Sequence, residues 1–341
     1  MEKKTELFKG ELMEEKLRQY FLNNGYYVSR GVKYNFEGNE ITDIDLFLYG
    51  RVSSLSRERT NVDIKNKKSP KAFERILWAK GLQELLEFNN CVVATTDRKE
   101  AVRKFGLKHN TIILDGNFLQ KLTYNTETRI TEEEFLAQLN KEKSFKEFRN
   151  QSWKILYENS KSRLLNELDF SGYNSTLIYL KYFLNKCYNK QKKEIALRAS
   201  YVILSHSLLI LDFLLKDIAF LESNLRKEML SDGFKYGNLG KEGVNRTIDM
   251  AVKIANSNIS VNEIKQSLDS GEMDFLKEFY SKTETTKNIF SWSKSFESLA
   301  FQKTLKSPND LETELKGTLA VMLDFFQINR KNFFEINIRN K

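Results

Sequence analysis

Two short runs with a period of two set the tightest limit on how this chain can fold. Ile41-Thr42-Asp43-Ile44-Asp45-Leu46-Phe47-Leu48-Tyr49 alternates in character, and so does Asn61-Val62-Asp63-Ile64-Lys65. Successive side chains of a strand point to opposite faces, so Ile44, Leu46 and Leu48 fall on one side and Asp43 and Asp45 on the other. By the same alternation Asp63 and Lys65 share a face, with Val62 and Ile64 on its reverse. If the two strands pair, two carboxylates and an ammonium converge beside an apolar sheet. Carboxylates held that close repel, and the usual remedies are a raised pKa or a divalent cation between them. A cation held by aspartates, with a lysine alongside, suits hydrolysis of a phosphodiester.

Around these runs the first part of the chain alternates helix and strand signals. Leu7, Glu14, Leu17, Tyr20 and Phe21 recur at helical spacing, and Asn23-Asn24-Gly25 ends that helix. Residues 26–34 read as a strand and 35–40 as a turn. The two acidic strands follow, joined by a connection over 50–60 that is longer than a tight hairpin turn. A helix over 71–88 comes next, then a strand over 91–96 and a charged helix over 98–105. The strand 111–114, a turn at Asp115-Gly116 and a short helix over 117–122 complete the series. Strands interleaved with covering helices predict an α/β layer architecture.

From Thr131 the pattern changes. Thr131-Glu132-Glu133-Glu134 has the form of a capping box opening a helix. Helical segments are expected over 146–158, 175–189, 192–223, 245–256, 261–268 and 311–328, with weak strand signals between them. The glycine-containing stretch 231–243, with Lys235 and Lys241, lacks the spacing of a phosphate-binding loop and reads as a flexible interhelical connection. The expected division is therefore an α/β domain over 1–127 and a separate all-α domain over 128–341.

Composition narrows the chemistry. The chain has 341 residues, of which 40% are hydrophobic and 12% aromatic, enough to build two cores. Only His109 and His206 are present, which leaves histidine-dependent nuclease and phosphohydrolase chemistry little to work with. Cys91 and Cys187 lie far apart in apolar segments, so neither a disulfide framework nor a zinc ligand set is expected. The first nine residues are charged and lack the apolar run of a signal peptide. The apolar stretch 201–215 is interrupted by polar residues and reads as a buried helix rather than a membrane span. These features predict a cytoplasmic protein with no membrane partner. A net charge of +9 is compatible with a polyanionic partner. Trp78, Trp153 and Trp292 are expected in core packing rather than base stacking.

At this point the chain resembles the PD-(D/E)xK nuclease superfamily, and within it the Mrr-like restriction endonucleases and archaeal-type Holliday junction resolvases. The opening helix carries Glu14, then apolar residues, then Gly25-Tyr26. The second strand carries Ile44-Asp45-Leu46 and the third Asp63-Ile64-Lys65. Val92-Val93-Ala94-Thr95-Thr96 and Ile113-Leu114-Asp115-Gly116-Asn117-Phe118-Leu119 parallel the strand ends that follow in Mrr-like domains. The likeness covers roughly residues 6–124. Ile44 stands where the superfamily's name places a proline.

The resemblance implies a restriction-endonuclease-like core, a mixed sheet flanked by helices, and a Mg²⁺-dependent endonuclease acting on DNA, with Mn²⁺ substituting. Asp45 and Asp63 would ligate the metal, the Ile64 carbonyl would be a third protein oxygen, and Glu14 would bind directly or through water. Lys65 would orient or help deprotonate the attacking water. Glu11 is the competitor of Glu14, and Asp43 reads as a solvated neighbour of Asp45. Gln83, rather than Lys80, is the candidate on the following helix. Arg51, Arg57, Arg59, Lys67 and Lys68 are candidate nucleic-acid contacts. Clean double-strand breaks would require a dimer, since one site cuts one strand. The helical domain would select substrate, bind a partner protein or join protomers. The setting implied is bacterial restriction or anti-phage defence. The alternatives are a nuclease for RNA or branched DNA, and a non-catalytic nucleic-acid or protein binding module.

Overall fold

The structure, a computed structural model, describes residues 7–125, 127–142, 148, 150–255 and 274–338. Contacts divide the chain into two compact units. One is Met1–Asn166 with Phe301–Thr304, and the other is Glu167–Ala300 with Leu305–Lys341.

The first unit runs α1 (Lys9–Asn23), β1 (Tyr27–Phe36), β2 (Asn39–Arg51), β3 (Arg57–Lys65), α2 (Ala72–Leu85), β4 (Asn90–Thr95), α3 (Glu100–Lys108), β5 (Ile112–Leu114) and α4 (Gly116–Gln120). Two further helices, α5 (Glu132–Asn140) and α6 (Trp153–Asn166), complete it. The strands form one mixed sheet in the order β1-β2-β3-β4-β5. β1, β2 and β3 are antiparallel, and β3, β4 and β5 are parallel.

The alternation seen in the sequence becomes two separate cores. Leu17 and Phe21 of α1 and Leu119 of α4 cover one face, against Val28, Leu46, Leu48, Val62, Ile64, Val92 and Ala94. Ala72, Ile76 and Ala79 of α2 cover the other, with Val102 of α3, against Cys91 and Val93. Each large apolar side chain so buried contributes about 1.5–3 kcal/mol. β1 and β2 are joined by a two-residue turn, Glu37 (φ 47°) and Gly38 (φ 81°), the left-handed pair that matches strand twist in a tight hairpin.

The β2–β3 connection is shorter than expected: both strands extend toward each other and leave only residues 52–56 between them. Arg57 closes this loop, its Nη1 donating to the carbonyls of Ser53 (2.6 Å), Ser54 (3.2 Å) and Ser56 (3.1 Å). Those donors compensate carbonyls that a five-residue loop would otherwise leave poorly paired.

The first unit also extends well past residue 127, to Asn166. The capping box at Thr131 is formed as expected, Thr131 Oγ1 accepting the Glu134 N–H and Glu134 Oε2 the Thr131 N–H. But α5 and α6 are tied to the sheet. Lys161 donates to Glu132 Oε1 and to the Arg30 carbonyl, both at 2.7 Å. Tyr157 donates to Glu132 Oε1 at 2.8 Å, and the Glu132 N–H donates to Glu15 at 3.1 Å. A helical pattern does not reveal which neighbour a helix packs on, and here buried charges make that choice.

The second unit is helical in its described residues. Its helices are α7 (Phe170–Lys186), α8 (Lys193–Leu215), α9 (Ser223–Tyr236) and α10 (Gly240–Ala255), followed by Asp274–Tyr280, Thr283–Phe301 (which ends in the first unit), Thr313–Phe325 and Arg330–Phe334. α8 is long and apolar enough to cross a membrane, with mean hydropathy 1.4, and 89% of its apolar window is buried in the protein. It is a buried helix, as the interrupted 201–215 stretch predicted.

The stretch 231–243 differs from expectation. α9 runs through its first half to Tyr236, a 3₁₀ turn covers Gly237–Leu239, and α10 starts at Gly240. Gly233 is required for packing rather than flexibility: a Cβ there would lie 2.3 Å from the Phe170 ring. The helix expected over 261–268 lies outside the described residues. Cys91 and Cys187 are buried free thiols. Trp153 and Trp292 are buried, whereas Trp78, expected in the core, is 47% exposed on α2.

Candidate active site

The site begins where the β2–β3 ladder ends. Its last pair is Leu46↔Val62; beyond that, β2 pairs only with β1 and β3 only with β4. The register would next set Asp45 opposite Asp63, on the face shared by the paired residues Phe47 and Asn61. Asn61 donates to the Ala79 carbonyl of α2 at 3.2 Å, which fixes that face as the α2 side. Asp45, Asp63 and Lys65 therefore share one face at the point where the two strands part, as the alternation predicted.

Each aspartate has its own environment. Asp45 Oδ2 accepts the Ile64 N–H at 2.6 Å, bridging the gap left by the ladder. Burial pushes the Asp45 carboxyl above the usual carboxylate range. The Ile64 N–H, Lys65 and Arg75 oppose the rise, and Asp43 adds to it. Asp63 is 6% exposed and is held by Arg75 of α2. Arg75 Nε donates to Asp63 Oδ2 at 2.8 Å and Nη2 donates to Oδ1, so both carboxylate oxygens are engaged by one guanidinium fork. Lys65 is half-buried and makes no hydrogen bond or ion pair with the described residues.

Arg75 is the residue that sequence reading missed. It stands one turn from Ala72, on the flank of the Ala72, Ile76, Ala79 stripe that packs on the sheet. A charged residue beside an apolar stripe was the available signal, the same signal that singled out Glu14.

Glu14 comes from α1, on the opposite face of the sheet. Its Oε2 accepts Arg30 Nε at 2.8 Å and lies 2.7 Å from Arg30 Nη2. Burial raises its carboxyl, Arg30 pulls it down and Asp45 pushes it up, so the two acids feel each other at the strand opening. Glu11 is turned away: its Oε2 accepts the Phe8 N–H at 2.8 Å and caps the start of α1. Ile64 presents its N–H to Asp45 and lies beside Ala94 of β4, which sets its backbone at the strand opening.

The more distant candidates fall elsewhere. Gln83 accepts from Lys80 Nζ at 2.6 Å and donates to the Asn89 carbonyl at 2.9 Å, closing the end of α2 away from the aspartates. Arg57 is buried in its loop. Arg59 donates to the carbonyls of Glu87 (2.7 Å) and Leu165 (3.3 Å), and its guanidinium carbon is 5.8 Å from the Phe88 ring. As placed, Arg57 and Arg59 donate to backbone carbonyls. Arg51 pairs with Arg57 across the strands. Lys67 and Lys68 are exposed on the connection from β3 to α2.

The second motif parallel has a structural explanation. Asp115 caps α4, its Oδ1 accepting the N–H groups of Asn117 and Phe118 at 3.0 and 2.9 Å. A Cβ on Gly116 would lie 2.5 Å from the Thr96 carbonyl, so only glycine allows the chain to turn there.

In chemical kind the donors suit a hard divalent cation. Asp45 keeps Oδ1 without a hydrogen bond to the described residues, and carboxylate oxygens are the ligands that Mg²⁺ prefers. Among the described residues no group of three or more His, Cys, Asp or Glu side chains forms a metal cage. The available set is the two aspartates with Glu14 beyond, and Asp63 is shared with Arg75. Compared with protein-family models, curated proteins and solved structures, the chain matches none of them.

Proposed function

We propose that this chain is a metal-dependent nuclease that hydrolyses DNA phosphodiester bonds at the Asp45–Asp63–Lys65 site. One observation carries the reading. Two acids on neighbouring strands share a face where the strands separate, and a lysine unpaired among the described residues stands two positions beyond the second. Order adds support: helix, three antiparallel strands, helix and a parallel strand are the parts of the restriction-endonuclease-like core. The remaining helical region would then serve substrate choice, partner binding or dimer formation.

Asp45 and Asp63 would hold Mg²⁺, with Glu14 reaching it directly or through water. When bound, the cation supplies Lewis acidity at the phosphate and makes water more acidic. The rest is the work of the chain. The Ile64 N–H fixes the Asp45 carboxylate in one orientation. Burial beside an apolar sheet strengthens the electrostatics of every group at the strand opening. Lys65, which forms no hydrogen bond or ion pair with the described residues, can place its ammonium against a phosphate oxygen or the attacking water and offset charge that grows in the transition state.

A second reading has one specific observation in its favour. Arg75 engages both oxygens of Asp63, an arrangement that a non-catalytic binding module would keep permanently. Plasmid cleavage separates the two. Purified protein in Mg²⁺ or Mn²⁺ is expected to cut and, in EDTA, to leave the plasmid intact. Asp63→Ala and Lys65→Ala should lose nearly all cutting while their circular dichroism stays native. Binding without metal-dependent cutting would favour the binding module.

A further inference from the structure

We propose that Arg75 is a latch on Asp63 that a divalent cation and a nucleic-acid phosphate open together, so that the two ligands bind cooperatively. The inference rests on the nuclease reading above and adds to it how the site is loaded.

The geometry of the ion pair is its starting point. Asp63 is nearly inaccessible to solvent, and both of its oxygens are taken by Nε and Nη2 of one side chain. A cation that needs the Asp63 carboxylate must therefore displace Arg75. A guanidinium displaced by the cation alone gives up its anionic partner with no new one in exchange, and a carboxylate left behind when a phosphate draws the arginine away gives up its cationic one. For Asp63, nearly inaccessible to solvent, the second loss is strongly unfavourable. Each ligand acting alone leaves one member of the pair without a partner.

Both acting together do not. The cation takes Asp63, and the phosphate takes Arg75, whose planar fork matches phosphate oxygens as well as it matches a carboxylate. Every charge leaves one partner and gains another. The surroundings favour this exchange. Arg75 is more exposed than Asp63, with 24% of its side chain accessible. Its guanidinium carbon already lies 5.8 Å from the ring of half-exposed Trp78, a face on which the released cation can rest. Lys67, Lys68 and Lys71 are exposed between β3 and the start of α2, where they would draw a polyanion toward the latch. This assignment also accounts for an exposed tryptophan on a helix whose opposite side is core.

The test measures Mn²⁺ affinity by electron paramagnetic resonance, with and without a short duplex bearing phosphorothioate linkages that resist cleavage. For the unaltered protein the duplex should tighten Mn²⁺ binding at least tenfold, and Mn²⁺ should tighten duplex binding by the same factor, because coupling is reciprocal. Arg75→Gln should bind Mn²⁺ at least tenfold more tightly than the unaltered protein without duplex, and gain little from adding it. Arg75→Lys, which keeps the charge and loses the fork, should fall between and guards against misfolding of the first variant. Equal Mn²⁺ affinity in all three proteins, with no effect of duplex, would overturn the latch. Asp45→Asn keeps the two readings apart. If it abolishes Mn²⁺ binding while the arginine variants change nothing, the cation site stands and the latch falls. If Asp45→Asn leaves Mn²⁺ binding intact, or no protein binds Mn²⁺, both fall.

Discussion

The first unit contains two buried charge clusters, and they are built on opposite terms. Glu14, Glu15, Glu132 and Glu133 gather around Arg18, Arg30 and Lys161, and each of these seven side chains faces at least one opposite charge. Arg30 alone reaches Glu15 at 2.6 Å and Glu133 at 2.6 Å. On the other face, Asp45 is raised by burial, Lys65 lowers it without forming a hydrogen bond or ion pair among the described residues, and Asp63 is the acid held in a salt bridge. In the first network every charged side chain contacts an opposite charge, and those contacts hold α5 and α6 against the sheet. At the strand opening Asp45 keeps one oxygen without a hydrogen bond and Lys65 forms no ion pair with the described residues, so both are open to a ligand. The lesson is that burial of charge alone does not mark a site; side chains left without direct contacts do.

The comparison breaks most visibly at Glu132. Glu132→Ala leaves Lys161 and Arg18 buried without their shared anion and should cost about 3–5 kcal/mol in urea unfolding. The same residue gives a pH signature. Burial alone would raise its carboxyl, but Lys161 and Arg18 outweigh burial and hold it at about 2, against an ordinary 4.5. A depressed folded value means that this stabilisation is complete above about 4.5 and is lost as pH falls toward about 2. Acid titration of unfolding should show a decline in that window, absent in Glu132→Gln.

At the other cluster, function and stability should separate. Lys65→Ala is expected to lower plasmid cleavage about 100-fold or more, while urea stability stays within about 0.5 kcal/mol. A large stability loss would place Lys65 with the structural network instead. Asp45→Asn sharpens the contrast further. The amide carbonyl can still accept the Ile64 N–H without burying a charge, so stability should hold or rise by up to about 1 kcal/mol while cutting disappears. The smallest effect belongs to Lys67→Ala and Lys68→Ala. Folding should be untouched, and the slope of duplex affinity against salt should fall by roughly one for each phosphate no longer neutralised.

Much of this was legible in the sequence, and what was not has a common cause. Period-two alternation placed Asp45, Asp63 and Lys65 on one face because strand geometry is local and rigid. The capping box at Thr131 was legible for the same reason, since its partners are three residues apart. Arg75 was missed because its role depends on α2 crossing β3, which helical spacing does not encode. Lys161 binding the Arg30 carbonyl joins positions 131 residues apart, so the expected boundary at 127 cut through a unit that buried charges hold together. Glycines in 231–243 suggested a loose loop, yet Gly233 is there because Phe170 packs against it.

The most direct test is a crystal structure of the protein grown with Mn²⁺ and the cleavage-resistant duplex together, with anomalous scattering to locate the ion. The account predicts one strong peak in contact with both aspartate carboxylates at the β2–β3 opening, with the arginine swung off Asp63. An empty map there, with that arginine still gripping the carboxylate, would contradict it.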